Sequence, residues 1–218
     1  MMSTIATKIL PSGAATPVIG LGVSWSYNEA MNAAKSGNEK LGLGYTDLYL
    51  LHAPFAPEHR EDAWRAVKDL HEQEILKDIG VSNFSETHLE KLFKTARVKP
   101  CVNQVELHSW LMRSSLVKYC KEHDIILQTD SPLARAAKMD DPTLISIAED
   151  FGASPAQVLI VFSLANGFVT LPKSVHNERQ LSNLKAANIK LTGAIGIPRL
   201  VHADCAMGTR QATCRVSQ

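Results

Sequence analysis

Apolar and polar positions alternate along this chain in blocks. Five short apolar runs each end in polar residues of kinds that bind or react. Residues 48–51 end at His52, and residues 79–81 end at Ser82 and Asn83. Val102 and Val105 flank Asn103 and Gln104. Residues 125–127 lead to Asp130 and Ser131, and residues 168–171 end at Lys173 and Ser174. Each run has the length and composition of a buried strand. The segments between them carry helical spacing. Residues 57–73 place Trp64, Val67 and Leu70 on one side, and residues 85–96 do the same with Leu89, Leu92 and Phe93. Residues 114–123 offer Leu116, Val117 and Cys120, and residues 142–151 carry a stripe of Leu144, Ile147, Ala148 and Phe151. Ser154 and Pro155 read as an N-cap and a first-turn proline opening a helix to residue 165. Asn177 reads as the cap of a last helix, with Gln180 at the reciprocal capping position.

The beginning of the chain is less regular. Pro11, Ser12 and Gly13 form a turn signal between residues 7–10 and 18–22, so a short hairpin merging into a first strand is expected there. Residues 26–42 are weakly helical, with Ala30, Met31 and Ala34 at helical spacing and an interruption expected at Gly37.

Strands alternating with helices predict a parallel sheet built from βαβ units. Strands that deliver polar groups at their C-terminal ends predict a (β/α) barrel with its site on that face. No G-x-G-x-x-G follows the first strand, which disfavours a doubly wound dinucleotide fold. The count, however, is six strands, and a full barrel has eight. About 23 residues separate Val23 from Thr46, too few for two further strand–helix units at ~30 residues each. The expected fold is therefore an incomplete (β/α)8 TIM-type barrel over residues 1–192. Residues 193–218 lose periodicity and are expected to be a disordered tail.

Bulk properties narrow the function. The chain has 218 residues, 45% hydrophobic and 21% charged, which suits one globular domain. A net charge of +1 gives no electrostatic case for nucleic acid or an anionic membrane. No apolar run approaches the ~18–20 residues of a membrane span, and residues 1–10 do not read as a secretory signal. The four cysteines show no CxxC pair or disulfide rhythm, which points to the reducing cytoplasm. Eight scattered histidines, with no H-x-H or H-E-x-x-H, argue against a metal centre.

The strand ends offer more. Lys173, Ser174 and Arg179 surround the start of the last helix, a reasonable clamp for a phosphate monoester. A solvated Lys and Arg on a surface loop is the competing reading. His52 shares strand parity with Leu48 and Leu50, so it is expected at the barrel mouth, where it could polarise a carbonyl. A structural histidine would show the same spacing. Asn83 and Gln104 have the donors and acceptors to hold a carboxamide, though either could equally satisfy loop backbone.

Taken together these segments resemble the aldo-keto reductase superfamily. The resemblance rests on LPSG at residues 10–13, PVIGLG at 17–22, YTDLYLLHAP at 45–54, GVSNF at 80–84, NQVELH at 103–108, SPL at 131–133 and LPKSV at 171–175, in the family's order. It implies NADPH-dependent reduction of an aldehyde or ketone, with a small carbonyl compound as substrate. By resemblance, His52 would position the substrate carbonyl. Ser82, Asn83 and Gln104 would hold the nicotinamide carboxamide. Ser131 and Leu133 would contact the pyrophosphate, Lys173, Ser174 and Arg179 the 2′-phosphate, and Asn183 the adenine. The family's Tyr proton donor, with its Lys and Asp, belongs to the two units that are missing. Tyr49 points by parity toward the helices, and Tyr27 is the one other tyrosine near the first strand end. Asp130 stands where the family has an aromatic platform. The resemblance therefore leaves two alternatives: a working reductase with an unconventional acid, or an NADP(H)-binding or regulatory barrel impaired in catalysis. Two missing units also predict new strand edges, hence an open or distorted barrel with a tendency to aggregate.

Overall fold

The structure, a computed structural model, describes the backbone of residues 19–21 together with residues 26–42, 44–54 and 57–189. The expected hairpin turn and the expected tail of residues 193–218 lie outside those residues.

Six parallel strands follow one another in chain order: β1 (Ile19–Leu21), β2 (Thr46–Leu51), β3 (Leu76–Ser82), β4 (Val102–Glu106), β5 (Ile126–Asp130) and β6 (Val169–Thr170). Between them run α1 (Tyr27–Leu41), α2 (Arg60–Glu72), α3 (Glu86–Thr95), α4 (Ser114–Glu122), α5 (Pro142–Asp150) and α6 (Pro155–Ala165), and α7 (Asn177–Lys185) closes the series. This is an incomplete (β/α)8 barrel. β1 pairs directly with β2, Ile19 opposite Tyr49, across the place where two units are missing. Among the described residues no ladder joins β6 back to β1, so the sheet is open there.

Parity along the strands separates two layers. Tyr49, Leu51, Ile79, Val81, Val105 and Leu127 face the helices and pack with Trp64, Val67, Leu70, Leu89, Leu92, Leu116 and Cys120. Leu48, Leu50 and Val102 face the other way, with Cys101 and Ile126 against them. Complete burial of a leucine such as Leu70 contributes roughly 1.5–3 kcal/mol. Gly80 lies in this inner layer for a steric reason. A Cβ there would meet Leu50 Cδ2 and the Val102 carbonyl oxygen, each at 2.7 Å. Only hydrogen at this position lets Leu50 lean across β3 to Val102.

Local chemistry sets the helix starts. Ser85 accepts a hydrogen bond from the His88 N–H at 3.4 Å, Asp141 one from the Leu144 N–H at 3.0 Å, and Ser154 one from the Gln157 N–H at 3.2 Å. Three expectations need correction. Gly37 does not interrupt α1, because Ala30, Ala34 and Asn38 bury one stripe and hold the helix through it. Residues 57–59 form a turn rather than the first turn of α2. Asn177 is the first residue of α7 rather than its cap. The cap residue is His176, which makes no side-chain cap bond; ahead of it Ser174 Oγ accepts the His176 N–H at 3.1 Å, and Gln180 Nε2 donates to the Ser174 carbonyl oxygen at 2.7 Å.

Candidate active site at the strand ends

The register brings the polar strand ends into rows. Leu50 pairs with Gly80, and Val102 with Ile126. One step on, Ser82 pairs with Gln104, and Gln104 with Gln128. His52 extends this row from the end of β2. A polar row thus stands directly on an apolar one, as a barrel mouth stands on its floor.

Hydrogen bonds tie the row together. Ser82 Oγ donates to the Gln104 carbonyl oxygen at 2.9 Å, and the Asn83 N–H donates to the same oxygen at 2.8 Å. Asn83 Nδ2 donates to the His52 carbonyl oxygen at 3.0 Å and to Ser82 Oγ at 3.1 Å. Asn83 sits in the left-handed region with φ of 60°, which asparagine tolerates better than most residues. His52 itself is exposed. Gln104 Nε2 donates to Gln128 Oε1, and Gln128 Nε2 is buried without a partner among the described residues.

One row further out, Glu106 pairs with Asp130. Glu106 Oε1 lies 3.6 Å from His108 Nε2, and Glu106 Oε2 lies 3.6 Å from the Arg135 guanidinium. Burial holds the His108 imidazole below its ordinary range, against the opposing pull of Glu106. Ser131 Oγ donates to Asp130 Oδ2 at 3.1 Å, and Ser131 too has a left-handed backbone with φ of 49°. Leu133 is half-buried, packed against both the α5/α6 cluster and Ile160 and Val161.

The far end of the rim is built differently. Lys173 and Arg179 are exposed, and Ser174 and Asn183 are half-buried. A shallow hollow at the start of α7 is lined by Val175, His176, Asn177, Glu178 and Arg179. Helix N–H groups and Arg179 favour an anion there, and Glu178 opposes one.

All four tyrosines are described, and none stands at the strand C-terminal ends. Tyr49 is wedged between sheet and helices, its hydroxyl without a partner among the described residues, and burial pushes its pKa up to about 12. Tyr45 precedes β2 under the Lys77 ammonium, and Tyr119 stacks on His123 with ring centres 4.1 Å apart. Tyr27 donates to Asp69 Oδ2 at 2.7 Å, and Asp69 Oδ1 lies 2.9 Å from Lys68 Nζ. That trio has the residue types of a tuned phenolic acid, but it clamps α1 to α2 in the helix layer. The Asp69 hydrogen bond also raises the Tyr27 pKa, the wrong direction for an acid that must release its proton.

The chain matches the family model described as the aldo/keto reductase family over residues 3–194. It belongs to that family. The chain is 39% identical over 166 residues to YtbE of Bacillus subtilis, named as an uncharacterized oxidoreductase, and 40% identical over 166 residues to the glyoxal reductase of the same organism. Each alignment covers 76% of this chain, with 59% of YtbE and 60% of glyoxal reductase covered, so the chain spans about three-fifths of these relatives' length. Among solved structures, the aldo-keto reductase MGS-M4 from a deep-sea metagenome library superposes with a TM-score of 0.84 at 28% identity, covering 92% of this chain and 76% of that one. A variant of Gox0644 in complex with NADPH superposes at 0.81 with 29% identity, covering 89% and 74%. The aldo/keto reductase pattern in the sequence pointed to Ser82, Asn83 and Gln104. It did not point to Gln128, or to the Glu106, His108 and Arg135 network. Period-two alternation over Ile126, Gln128 and Asp130 was the signal available for Gln128.

Proposed function

We propose that this chain is an NADP(H)-dependent oxidoreductase of the aldo-keto reductase type that reduces an aldehyde or ketone to an alcohol. The observation that carries the reading is the row His52, Ser82, Gln104 and Gln128, one carbonyl-polarising side chain beside a set of amide and hydroxyl groups. The fit to a carboxamide-bearing dinucleotide phosphate rests on that set of amide and hydroxyl groups and on Gln128 Nε2, a buried donor without a partner among the described residues. Ser82, Asn83 and Gln104 would hold the carboxamide, Ser131 and the Leu133 backbone the pyrophosphate, Lys173, Ser174 and Arg179 the 2′-phosphate, and Asn183 the adenine. The bound nicotinamide would supply hydride. His52 would orient the carbonyl oxygen, and the proton for the alkoxide would come from water reaching the open rim. Loss of a positioned acid costs ~10²–10⁴-fold, so slow turnover is expected.

A second reading has its own observation: every tyrosine lies away from the strand ends. On that reading the chain binds NADP(H) without turnover, as a regulatory or impaired barrel. Titrating the full chain with NADPH, read by tryptophan fluorescence, and following NADPH absorbance with methylglyoxal separates the two. The reductase reading expects turnover that His52→Ala lowers at least about tenfold while NADPH affinity stays within about twofold. NADPH binding with no turnover selects the second reading. No NADPH binding overturns both.

A further inference from the structure

We propose that Gln128 is a positioning residue that fixes which edge of the Gln104 carboxamide meets a ligand. The inference rests on the cofactor reading above. A primary amide can present either its oxygen or its nitrogen, and the two choices differ only by rotation of the terminal torsion. The choice is made by whatever holds the other edge.

In this chain the holder is Gln128. Gln104 and Gln128 are register partners on adjacent strands and point to the same inner face. Gln104 Nε2 donates to Gln128 Oε1. That contact turns the nitrogen edge of Gln104 toward β5, so its oxygen edge turns away, to the side of β3 where Ser82 and Asn83 stand. Gln128 is itself 1% exposed, so its Oε1 cannot be replaced by bulk water. Directly beneath the pair the inner face carries Leu50, Val102 and Ile126. Gln104 thus offers Oε1, an acceptor, to a ligand group that donates N–H. A nicotinamide carboxamide has such a group. A methyl ketone of the same shape does not.

Selectivity for the amide nitrogen follows, and it reads the role of Gln128 without reference to catalysis. The probes are NADP⁺ and its 3-acetylpyridine analogue, in which a methyl replaces the amide NH2. Both are titrated against the full chain by tryptophan fluorescence. The unaltered chain is expected to bind NADP⁺ about tenfold more tightly than the analogue, the worth of one hydrogen bond whose loss leaves a polar group unpaired. Gln128→Met keeps the volume and removes the acceptor, and should bring the ratio to about twofold or less. Gln128→Asn, an amide one methylene too short to reach, should do the same and serves if the Met variant does not fold. Gln128→Glu retains a carbonyl oxygen at the same reach and should preserve the ratio. A ratio that stays near tenfold in the Met or Asn variant overturns the proposal while leaving the cofactor reading intact. Failure of the unaltered chain to bind NADP⁺ overturns the cofactor reading, and this inference with it.

Discussion

The two halves of the rim are built to different standards. From β2 to β5 the strand ends are locked by register and hydrogen bonds. Asn103 is fully buried and holds Phe84 at both backbone groups, donating to its carbonyl oxygen at 2.9 Å and accepting its N–H at 3.4 Å. At β6 and α7 the reverse holds. β6 has two residues, α7 has no buried residue, and Leu171, Leu181 and Leu184 are exposed. The first half holds its amides in place through hydrogen bonds to neighbouring strands. The second can offer charge, but with little to hold its position. Affinity for a dinucleotide phosphate would thus come from one end and orientation from the other.

The largest expected effect strikes the locked half. Gly80→Val drives a side chain into Leu50 and into the Val102 carbonyl, which cannot move aside. We expect a loss of about 3 kcal/mol or more in urea unfolding, or no folded protein. Asn103→Ala leaves the Phe84 groups buried and unpaired and should cost about 2 kcal/mol. Leu181→Ala, 60% exposed on α7, should stay within about 0.5 kcal/mol in the same assay. Equal losses in the last two would erase the contrast. Arg179→Ala should leave stability unchanged and weaken NADPH binding about tenfold, with NADH binding unaffected. Parallel loss for both nucleotides would count against a 2′-phosphate clamp.

The smallest effect is a pH dependence of the locked half. The His88 pKa is lowered by burial, and then by the nearby charges of Arg60 and Lys91. Its Nδ1 accepts the Ser85 N–H at 3.3 Å, a contact that requires an unprotonated nitrogen. His108 is lowered by burial as well. Groups depressed in this way leave stability whole above the unfolded histidine value near ~6.5. As pH falls below it, the unfolded chain takes up protons first and stability declines. The thermal midpoint should therefore drop between pH 7 and pH 5, and His88→Gln should flatten part of that drop. A midpoint that rises on acidification would contradict the assignment.

Much of this was legible in the sequence because it is local. The apolar runs with polar ends, the stripe through α5 and the Ser154 cap each depend on residues a few positions apart. What escaped depends on residues far apart in the chain. Gly37 remains helical because Ala30, Ala34 and Asn38 find a surface to cover, and Thr46 Oγ1 donates to Asn38 Oδ1 at 3.2 Å. Gln128 acquires its role only when the register sets it beside Gln104. Asn177 looked like a cap by spacing, yet the helix takes His176 as its cap residue, whose own N–H is held by Ser174 Oγ. Within the candidate site, the sequence grouped Ser82, Asn83 and Gln104, but nothing in it announced that Asn83 would spend its amide on the His52 carbonyl.

Gly80 carries a consequence beyond packing. By leaving room for Leu50 to reach Val102, it joins the inner face of β2 to that of β4 across β3. His52 and Gln104 stand two residues further along the same two strands. A residue with no side chain of its own thus links the strand that carries the histidine to the strand that carries the amide.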